Sequence, residues 1–135
     1  MRYPGTRNEY ISPDNLYLFG VFMSLSAVEN TDILEALYQI VQERKQLGDG
    51  EKSYVKSLFD KGLDKILSKI GEEATETAIA GKGGDRDEVV YEVADLFFHV
   101  IVLLGYYDLP PEKIYEELRR RFGLSGIEEK ARRNT

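Results

Sequence analysis

The chain has 135 residues, which is enough for one packed domain and excludes multidomain machinery. It is 42% hydrophobic and 31% charged, which excludes a disordered chain, because such a chain lacks the apolar area to offset its ordering entropy. The formal net charge of -6 argues against binding to nucleic acid or to an anionic membrane, so a polyanionic ligand would need a metal cation or a local basic patch.

Residues 1–30 differ from the rest of the chain, because proline, glycine and asparagine interrupt a tyrosine-rich segment with weak periodicity. The longest apolar-rich stretch there, residues 16–28, is too short for roughly 30 Å of bilayer hydrocarbon and lacks the flanks of a signal peptide. We expect an N-terminal extension of unclear structure over 1–30, a functional domain over 31–135, and a cytoplasmic protein with no membrane partner.

From Thr31 onward, apolar residues at helical spacing predict helices. Thr31 is expected to cap the first helix, which carries Arg44 in its last turn and ends at Gly48. A short helix through Phe59 is expected to follow.

Two further long helices are predicted over 61–80 and over 85–107, the latter capped by Asp85. Pro111 marks the first turn of a fourth, over 111–122. Only short loops separate these helices, so consecutive ones should pack antiparallel in an all-α bundle of four main helices.

The second long helix has two different faces when its residues are placed at 3.6 per turn. The apolar residues fall within an arc of roughly 120°, the width of a core-facing stripe. They are Leu63, Ile66, Leu67, Ile70, Ala74 and Ala78. The opposite side carries Lys61, Lys65 and Lys69, followed by Glu72, Glu73 and Glu76. Glu73 lies nearest the apolar edge and should be the most buried of these three acids.

The third long helix is apolar almost all round, which is typical of a helix in the middle of a bundle. Glu92, Asp95 and His99 nevertheless share one strip of it, at i, i+3 and i+7. Burying ionised carboxylates there costs several kcal/mol each unless a cation compensates, and that strip carries no lysine or arginine.

A divalent metal between the two helices resolves this conflict, with one carboxylate pair on each. Its predicted ligands are Glu73, Glu76, Glu92 and Asp95. Oxygen-only ligation suits a hard cation, Mg²⁺ or Mn²⁺. One glutamate string alone is typical of a solvated helix face, but a second pair on an apolar helix favours the metal. The lone His99 is more often a hydrogen-bonded core residue than a ligand.

The pattern Glu72-Glu73-x-x-Glu76 followed by Glu92-x-x-Asp95 resembles the metal motif of the MazG-like all-α nucleoside triphosphate pyrophosphohydrolases. The flanking residues, over about 33–133, resemble the phosphoribosyl-ATP pyrophosphatase family of histidine biosynthesis. They are Ser53-Tyr54, Lys61-Gly62, Lys65-Ile66, 69–76, Ala94-Asp95-Leu96 with His99, and 125–131. The chain departs from that family at Val55, where threonine is usual, and residues 1–30 have no recognised counterpart.

The resemblance implies a MazG-like helical bundle whose core is shared in a homodimer. It also implies that the enzyme hydrolyses 1-(5-phosphoribosyl)-ATP to 1-(5-phosphoribosyl)-AMP and pyrophosphate with Mg²⁺. Hydrolysis of a phosphoanhydride needs charge neutralisation on the phosphate oxygens and a positioned water. We therefore expect the four carboxylates to be metal ligands and Glu72 to be the catalytic residue that orients or deprotonates the water.

Basic residues outside the carboxylate set are candidates for substrate binding. Lys61, Lys65 and Lys69 would meet the phosphate chain. Arg44 and Lys130 would bind a terminal or ribosyl phosphate, a task that suits the bidentate guanidinium of Arg44.

The sequence leaves three alternative functions open. The nearest is a MazG-like housecleaning nucleoside triphosphate pyrophosphohydrolase, which would share the carboxylates without needing residues 125–131 or the lysines. A non-enzymatic helical adaptor would pair its acidic strip with a basic partner and leave these acids exposed. A di-iron bundle would want a Glu-x-x-His motif on two helices, and the chain has one histidine.

Overall fold

The computed structural model describes residues 32–47, 53–122 and 133–134, and within these residues it contains helices and no strand. The five helices are α1 (Ile33–Lys45), α2 (Tyr54–Lys61), α3 (Leu63–Gly83), α4 (Arg86–Tyr106) and α5 (Glu112–Phe122). The all-α prediction is confirmed, with four longer helices and the short α2. The predicted cap at Thr31, the extension over 1–30 and Lys130 lie outside the described residues.

Side-chain caps begin two of these helices. The Oγ of Ser53 accepts a hydrogen bond from the backbone N–H of Lys56 at 3.4 Å, at the start of α2. The Oδ1 of Asp85 accepts from the backbone N–H groups of Asp87 and Glu88, at 3.0 and 3.3 Å, at the start of α4. Such oxygens satisfy N–H groups that have no partner within the helix. The predicted cap at Asp85 is therefore confirmed.

The second long helix, predicted from about residue 61 to residue 80, starts two residues later and ends three residues later, over Leu63–Gly83. Gly62 has a φ of 93°, a conformation that residues with a Cβ rarely adopt, and it separates α2 from α3. Lys61 is consequently the last residue of α2, whereas Lys65 and Lys69 lie on α3. The three lysines therefore do not share one helix face.

Helices α3 and α4 form an antiparallel hairpin and pack against each other. Gly84 ends α3 in the left-handed conformation, with φ 79°, and Asp85 starts α4 directly after it. Helix α1 packs against α4, and α2 packs against both α1 and α3.

The hydrophobic core lies at the end of the hairpin away from Gly84. It consists of Leu37, Tyr38, Val41, Tyr54, Val55, Leu58, Ile66, Phe98, Ile101, Val102 and Leu104. All of these residues belong to α1, α2, the first turn of α3 or the second half of α4. The far half of the hairpin exposes apolar side chains instead, including Ile79 at 67% and Val90 at 69% of their surface.

The core stripe predicted on α3 is wrong in three positions, because Leu67, Ala74 and Ala78 are exposed. The cause is helix length. With 21 residues, α3 and α4 are each about 31 Å long, whereas α1 has 13 residues and α2 has 8, about 20 and 12 Å. The short helices therefore cover only one end of the hairpin.

Helix α1 approaches α4 closely at Gly105. A Cβ at this position would lie 2.7 Å from the Cγ1 of Val41, so only glycine fits without a shift. The Nζ of Lys45 donates to the carbonyl of Gly105 at 2.8 Å and contacts Asp108 Oδ1 at 3.1 Å. These contacts fix the carboxyl end of α4 against α1.

By length and apolar composition, α4 meets the criteria for a helix that crosses a bilayer. The central helix of a soluble bundle meets the same criteria, and 33% of the most apolar stretch of α4 is buried within this chain. Length and composition therefore do not make α4 a membrane span.

Candidate metal centre

Three carboxylates converge in the middle of the α3–α4 hairpin. Glu73 comes from α3, and Glu92 and Asp95 lie one turn apart on α4. One oxygen from each of the three lies within 4.8 Å of the others. We call these residues the acidic cluster. Glu73 and Asp95 each expose only 6% of their surface, and Glu92 is half-buried, so the cluster is largely shielded from water.

Two oxygens of the acidic cluster are buried without a hydrogen-bond partner among the described residues. They are the Oε2 atoms of Glu73 and Glu92. A buried carboxylate oxygen with no partner is costly, and a coordinated cation would satisfy it. Three oxygen donors of this kind suit a hard divalent cation rather than zinc. The residues present therefore fit a metal ion.

Burial and mutual repulsion raise the pKa of every carboxyl in the acidic cluster. Burial, then the charges of Asp95 and Glu76, raises the pKa of Glu73 to about 7. Burial, then a hydrogen bond with Glu76, raises the pKa of Glu92 to about 7. The pKa of Asp95 rises to about 6, chiefly through burial. Without a cation, the cluster thus holds protons near neutral pH, and a bound metal would displace them.

Glu76 lies at the solvent side of the acidic cluster. It is exposed, unlike Glu73, and is not one of the three converging residues. Its carboxylate is nevertheless close enough to raise the pKa of both Glu73 and Glu92. Glu73 is the most buried of the three predicted acids of α3, as the helical spacing predicts.

Lys69 is the cation nearest to Glu73 in the described part of the chain. Its Nζ lies 2.9 Å from Glu72 Oε2 and 3.5 Å from Glu73 Oε1. Burial acts to lower the pKa of Lys69, but the hydrogen bond to Glu72 and the nearby charges outweigh it and raise that pKa. The same hydrogen bond lowers the pKa of the exposed Glu72. Lys69 thus supplies from α3 the cation that the acidic strip of α4 lacks, and its i,i+3 and i,i+4 spacing from the two glutamates is a sequence signal for this contact.

Tyr91 also belongs to the surroundings of the cluster, and sequence reasoning missed it. It is half-buried on α4, next to Glu92. Burial, then the charges of Asp95 and Glu92, raises its pKa to about 12, so its hydroxyl stays neutral. A tyrosine on an otherwise apolar helix is typical of a core residue, so no sequence signal distinguished it.

His99 is completely buried beside the acidic cluster and is hydrogen-bonded through both ring nitrogens. Its Nδ1 lies 2.7 Å from the backbone oxygen of Asp95, and its Nε2 lies 2.8 Å from the hydroxyl of Tyr54. The expectation of a hydrogen-bonded core histidine is therefore confirmed.

The other predicted substrate-binding residues that the structure describes form no ion pair with the acidic cluster, and Lys130 lies outside the described residues. Lys61 is exposed at the end of α2, and Lys65 is half-buried one turn before Lys69. Arg44 is half-buried in the last turn of α1. Of the predicted lysines and arginine that the structure describes, Lys69 alone forms an ion pair with a predicted site carboxylate.

The geometry bears on the alternatives from the sequence. An adaptor that pairs its acids with a basic partner would expose them, whereas Glu73 and Asp95 are buried. A di-iron site would need histidine ligands, and both nitrogens of His99 are already engaged.

Comparison with known proteins gives a consistent result. Residues 34–122 match the sequence profile of a family described as phosphoribosyl-ATP pyrophosphohydrolase. The phosphoribosyl-ATP pyrophosphatase of Geobacter metallireducens is 65% identical over 105 residues, which cover 78% of this chain and 95% of that protein. The protein of the same name from Geotalea daltonii is 62% identical over 105 residues, covering 78% and 98%. A third, from Methylococcus capsulatus, is 55% identical over 102 residues, covering 76% and 96%. The matched residues include the whole hairpin and its acidic cluster.

Proposed function

This chain belongs to the phosphoribosyl-ATP pyrophosphohydrolase family, and we propose that its acidic cluster supports Mg²⁺-dependent hydrolysis of 1-(5-phosphoribosyl)-ATP. The products are 1-(5-phosphoribosyl)-AMP and pyrophosphate. The chain is thus a hydrolase of a phosphoanhydride bond that acts in histidine biosynthesis. One observation carries the site assignment: three carboxylates from facing helices converge, and two of their buried oxygens have no partner among the described residues.

The acidic cluster holds the metal, with Glu73, Glu92 and Asp95 as ligands. Glu76 completes the ligand set from the solvent side, since its carboxylate already interacts with two of the three. When bound, Mg²⁺ supplies charge neutralisation on the phosphate oxygens. Manganese, which has the same preference for oxygen ligands, should replace it.

Glu72 orients the attacking water by accepting a hydrogen bond from it. The hydrogen bond from Lys69 lowers the pKa of Glu72, which keeps its carboxylate ionised but makes it a weak base. A general base works best when its pKa is near the working pH, so orienting the water suits Glu72 better than removing its proton.

Basic residues around the cluster bind the substrate. Lys69 turns from Glu72 and Glu73 toward the phosphate chain, and Lys65, one turn earlier on α3, extends this positive surface. Lys61, at the end of α2, contributes from the rim. Arg44 and Lys130 bind the phosphate of the phosphoribosyl group, which plain ATP lacks.

A second copy of the chain covers the exposed apolar side of the hairpin. Ile79, Val90 and Phe97 expose 67%, 69% and 50% of their surface, and α5 has no buried residue. Apolar area on this scale is typical of an interface rather than of a free surface. We accordingly propose a cytoplasmic homodimer with a shared bundle core, in which residues 31–135 form the enzymatic domain and 1–30 an extension.

Product analysis by phosphorus NMR tests the function. The protein is incubated with 1-(5-phosphoribosyl)-ATP or with deoxynucleoside triphosphates, each with Mg²⁺ and with a chelator. We expect pyrophosphate from phosphoribosyl-ATP in the presence of Mg²⁺ only. Glu73→Gln should abolish it, because one ligand charge is lost. Glu43→Gln, an exposed glutamate on α1, is the matched control and should keep full activity.

Two results would contradict the proposal. Pyrophosphate from deoxynucleoside triphosphates but not from phosphoribosyl-ATP would place the chain among the housecleaning pyrophosphohydrolases. Full activity in the chelator would remove the metal from the mechanism.

A further inference from the structure

A chain of two hydrogen bonds runs through the core to the back of the acidic cluster. The hydroxyl of Tyr54, on α2, lies 2.8 Å from His99 Nε2. His99 Nδ1 lies 2.7 Å from the backbone oxygen of Asp95, one turn earlier on α4. Tyr54 exposes 4% of its surface and His99 none, so both bonds are shielded from water.

The chemistry of the acceptors indicates which group donates in each of the two hydrogen bonds. A carbonyl oxygen can only accept, so His99 Nδ1 carries a proton and donates a hydrogen bond to the backbone oxygen of Asp95. In the neutral imidazole of that tautomer, Nε2 is an acceptor and the Tyr54 hydroxyl donates a hydrogen bond to it. The ring of Phe98 packs edge-on against His99, at 5.1 Å between centroids, and the Tyr54 ring does so at 5.8 Å. The aromatic packing and both hydrogen bonds therefore define one orientation of the His99 ring.

These two hydrogen bonds link α2, the helix that precedes α3, to the turn of α4 that carries the proposed metal ligands. Helix α2 packs against α3 and is joined to it by Gly62 alone. A hydrogen bond from α2 to α4 therefore also constrains the distance between α3, which carries Glu73, and the turn of α4 that carries Glu92 and Asp95. Apolar side chains could fill the same volume, but they would not fix a distance, whereas a fully hydrogen-bonded buried network does.

We propose that Tyr54 and His99 are positioning residues of the metal site, which hold the Glu92–Asp95 turn of α4 at the distance from Glu73 where three carboxylates reach one ion. This inference rests on the proposed function, because it takes the acidic cluster as the metal site. Neither residue belongs to the acidic cluster. They act through the backbone of Asp95.

The test measures Mn²⁺ affinity of the full chain without nucleotide, from the electron paramagnetic resonance signal of free Mn²⁺. Tyr54→Phe removes the donor to His99 and should weaken Mn²⁺ binding about 10-fold, the lower end of the range for partners that orient metal ligands. Tyr38→Phe is the matched control. Tyr38 is a core tyrosine with 6% exposure, and its hydroxyl accepts from Gln42 at 2.8 Å, but it lies on α1. This control should keep the wild-type affinity.

A second variant separates positioning from general loss of stability. His99→Asn keeps a donor near the position of Nδ1 but removes the acceptor for Tyr54, so it should weaken Mn²⁺ binding to a similar extent. If the two residues act as one unit, the double variant binds Mn²⁺ no more weakly than either single variant. The midpoint temperature of thermal unfolding, followed by circular dichroism, should fall in both tyrosine variants. The Mn²⁺ affinity should fall only in Tyr54→Phe.

Wild-type Mn²⁺ affinity in folded Tyr54→Phe or His99→Asn would overturn this inference and leave the proposed function intact. Equal losses in Tyr54→Phe and Tyr38→Phe would also overturn it. No Mn²⁺ binding by the wild-type chain would remove the proposed function, and the inference with it.

Discussion

At the scale of single residues, the proposed metal-binding role of the acidic cluster opposes the stability of the fold. Glu73, Glu92 and Asp95 are placed where charge is unfavourable, as their raised pKa values indicate. A core built for stability alone would carry leucine or valine at these positions. The cluster is tolerable because its carboxyl groups can hold protons, or a cation, in place of water.

This conflict predicts a pH dependence for the metal-free protein. An unfolded glutamate releases its proton at its usual pKa of 4.5, whereas folded Glu73 and Glu92 release theirs at about 7. Between these values the folded state binds more protons, so the free energy of unfolding should fall as the pH rises, by several kcal/mol. Urea denaturation in chelator at about pH 5 and pH 7.5 measures this change.

If Mg²⁺ binds the deprotonated cluster of the folded state, as proposed, it should reduce this loss of stability. Three carboxyl groups have lowered pKa values, namely Glu72, Asp108 and Glu117. They affect stability at lower pH, so the free energy of unfolding should still fall between pH 5 and 7.5. A free energy of unfolding that rises between pH 5 and 7.5 in chelator would contradict the prediction.

At the scale of helices, the close contact between α1 and α4 depends on a glycine, Gly105, which has no side chain. Gly105→Ala would place a Cβ 2.7 Å from Val41 Cγ1, and relieving such an overlap costs about 1–3 kcal/mol. Gly81→Ala is the matched control, because it lies within α3 and nothing lies within 4 Å of its added Cβ. It should stabilise the chain by about 0.5–1 kcal/mol through helix propensity. Urea denaturation of both variants gives the comparison, and equal effects would contradict the close approach.

Helix existence could be predicted from this sequence, because apolar periodicity and capping residues are local signals. Asp85 and Pro111 mark where helices begin, and the structure agrees within one residue, whereas α3 ends at Gly83, three residues after its predicted end. The break at Gly62 could not be predicted in the same way. Charged and apolar residues on both sides of it suit a helix, and a positive φ is a property of the packed chain rather than of the local sequence.

The site could be predicted in part for the same reason. The i,i+3 pairs predicted which acids would lie on one helix face, and the apolar surroundings of Glu92 and Asp95 indicated their burial. The role of Lys69 and the position of Tyr91 depend on the relative orientation of α3 and α4. The residue pattern of a single helix does not determine that orientation. The exposed stripe at Leu67, Ala74 and Ala78 shows a further limit, because periodicity identifies an apolar face but not what covers it.

At the scale of the whole molecule, one chain leaves too much apolar surface uncovered at the far half of the hairpin. Val90→Lys would place a charge in the proposed interface and should convert a dimer into monomers of 15.4 kDa. Gln39→Lys adds the same charge at an exposed position on α1, where Glu35 lies four residues earlier, and should remain dimeric. Sedimentation equilibrium distinguishes the two masses. A wild-type chain that sediments as a monomer would contradict the homodimer.

The direct passage from α3 through Gly84 to α4 has a consequence for how the molecule folds. Fewer than two dozen residues separate Glu73 from Asp95, so the carboxylates that meet in space are also close along the chain. Contacts of short sequence separation close only a small loop and form quickly. The hairpin can therefore assemble before the longer-range packing of α1 on α4, and the acidic cluster is among the first parts of the chain able to reach its final geometry.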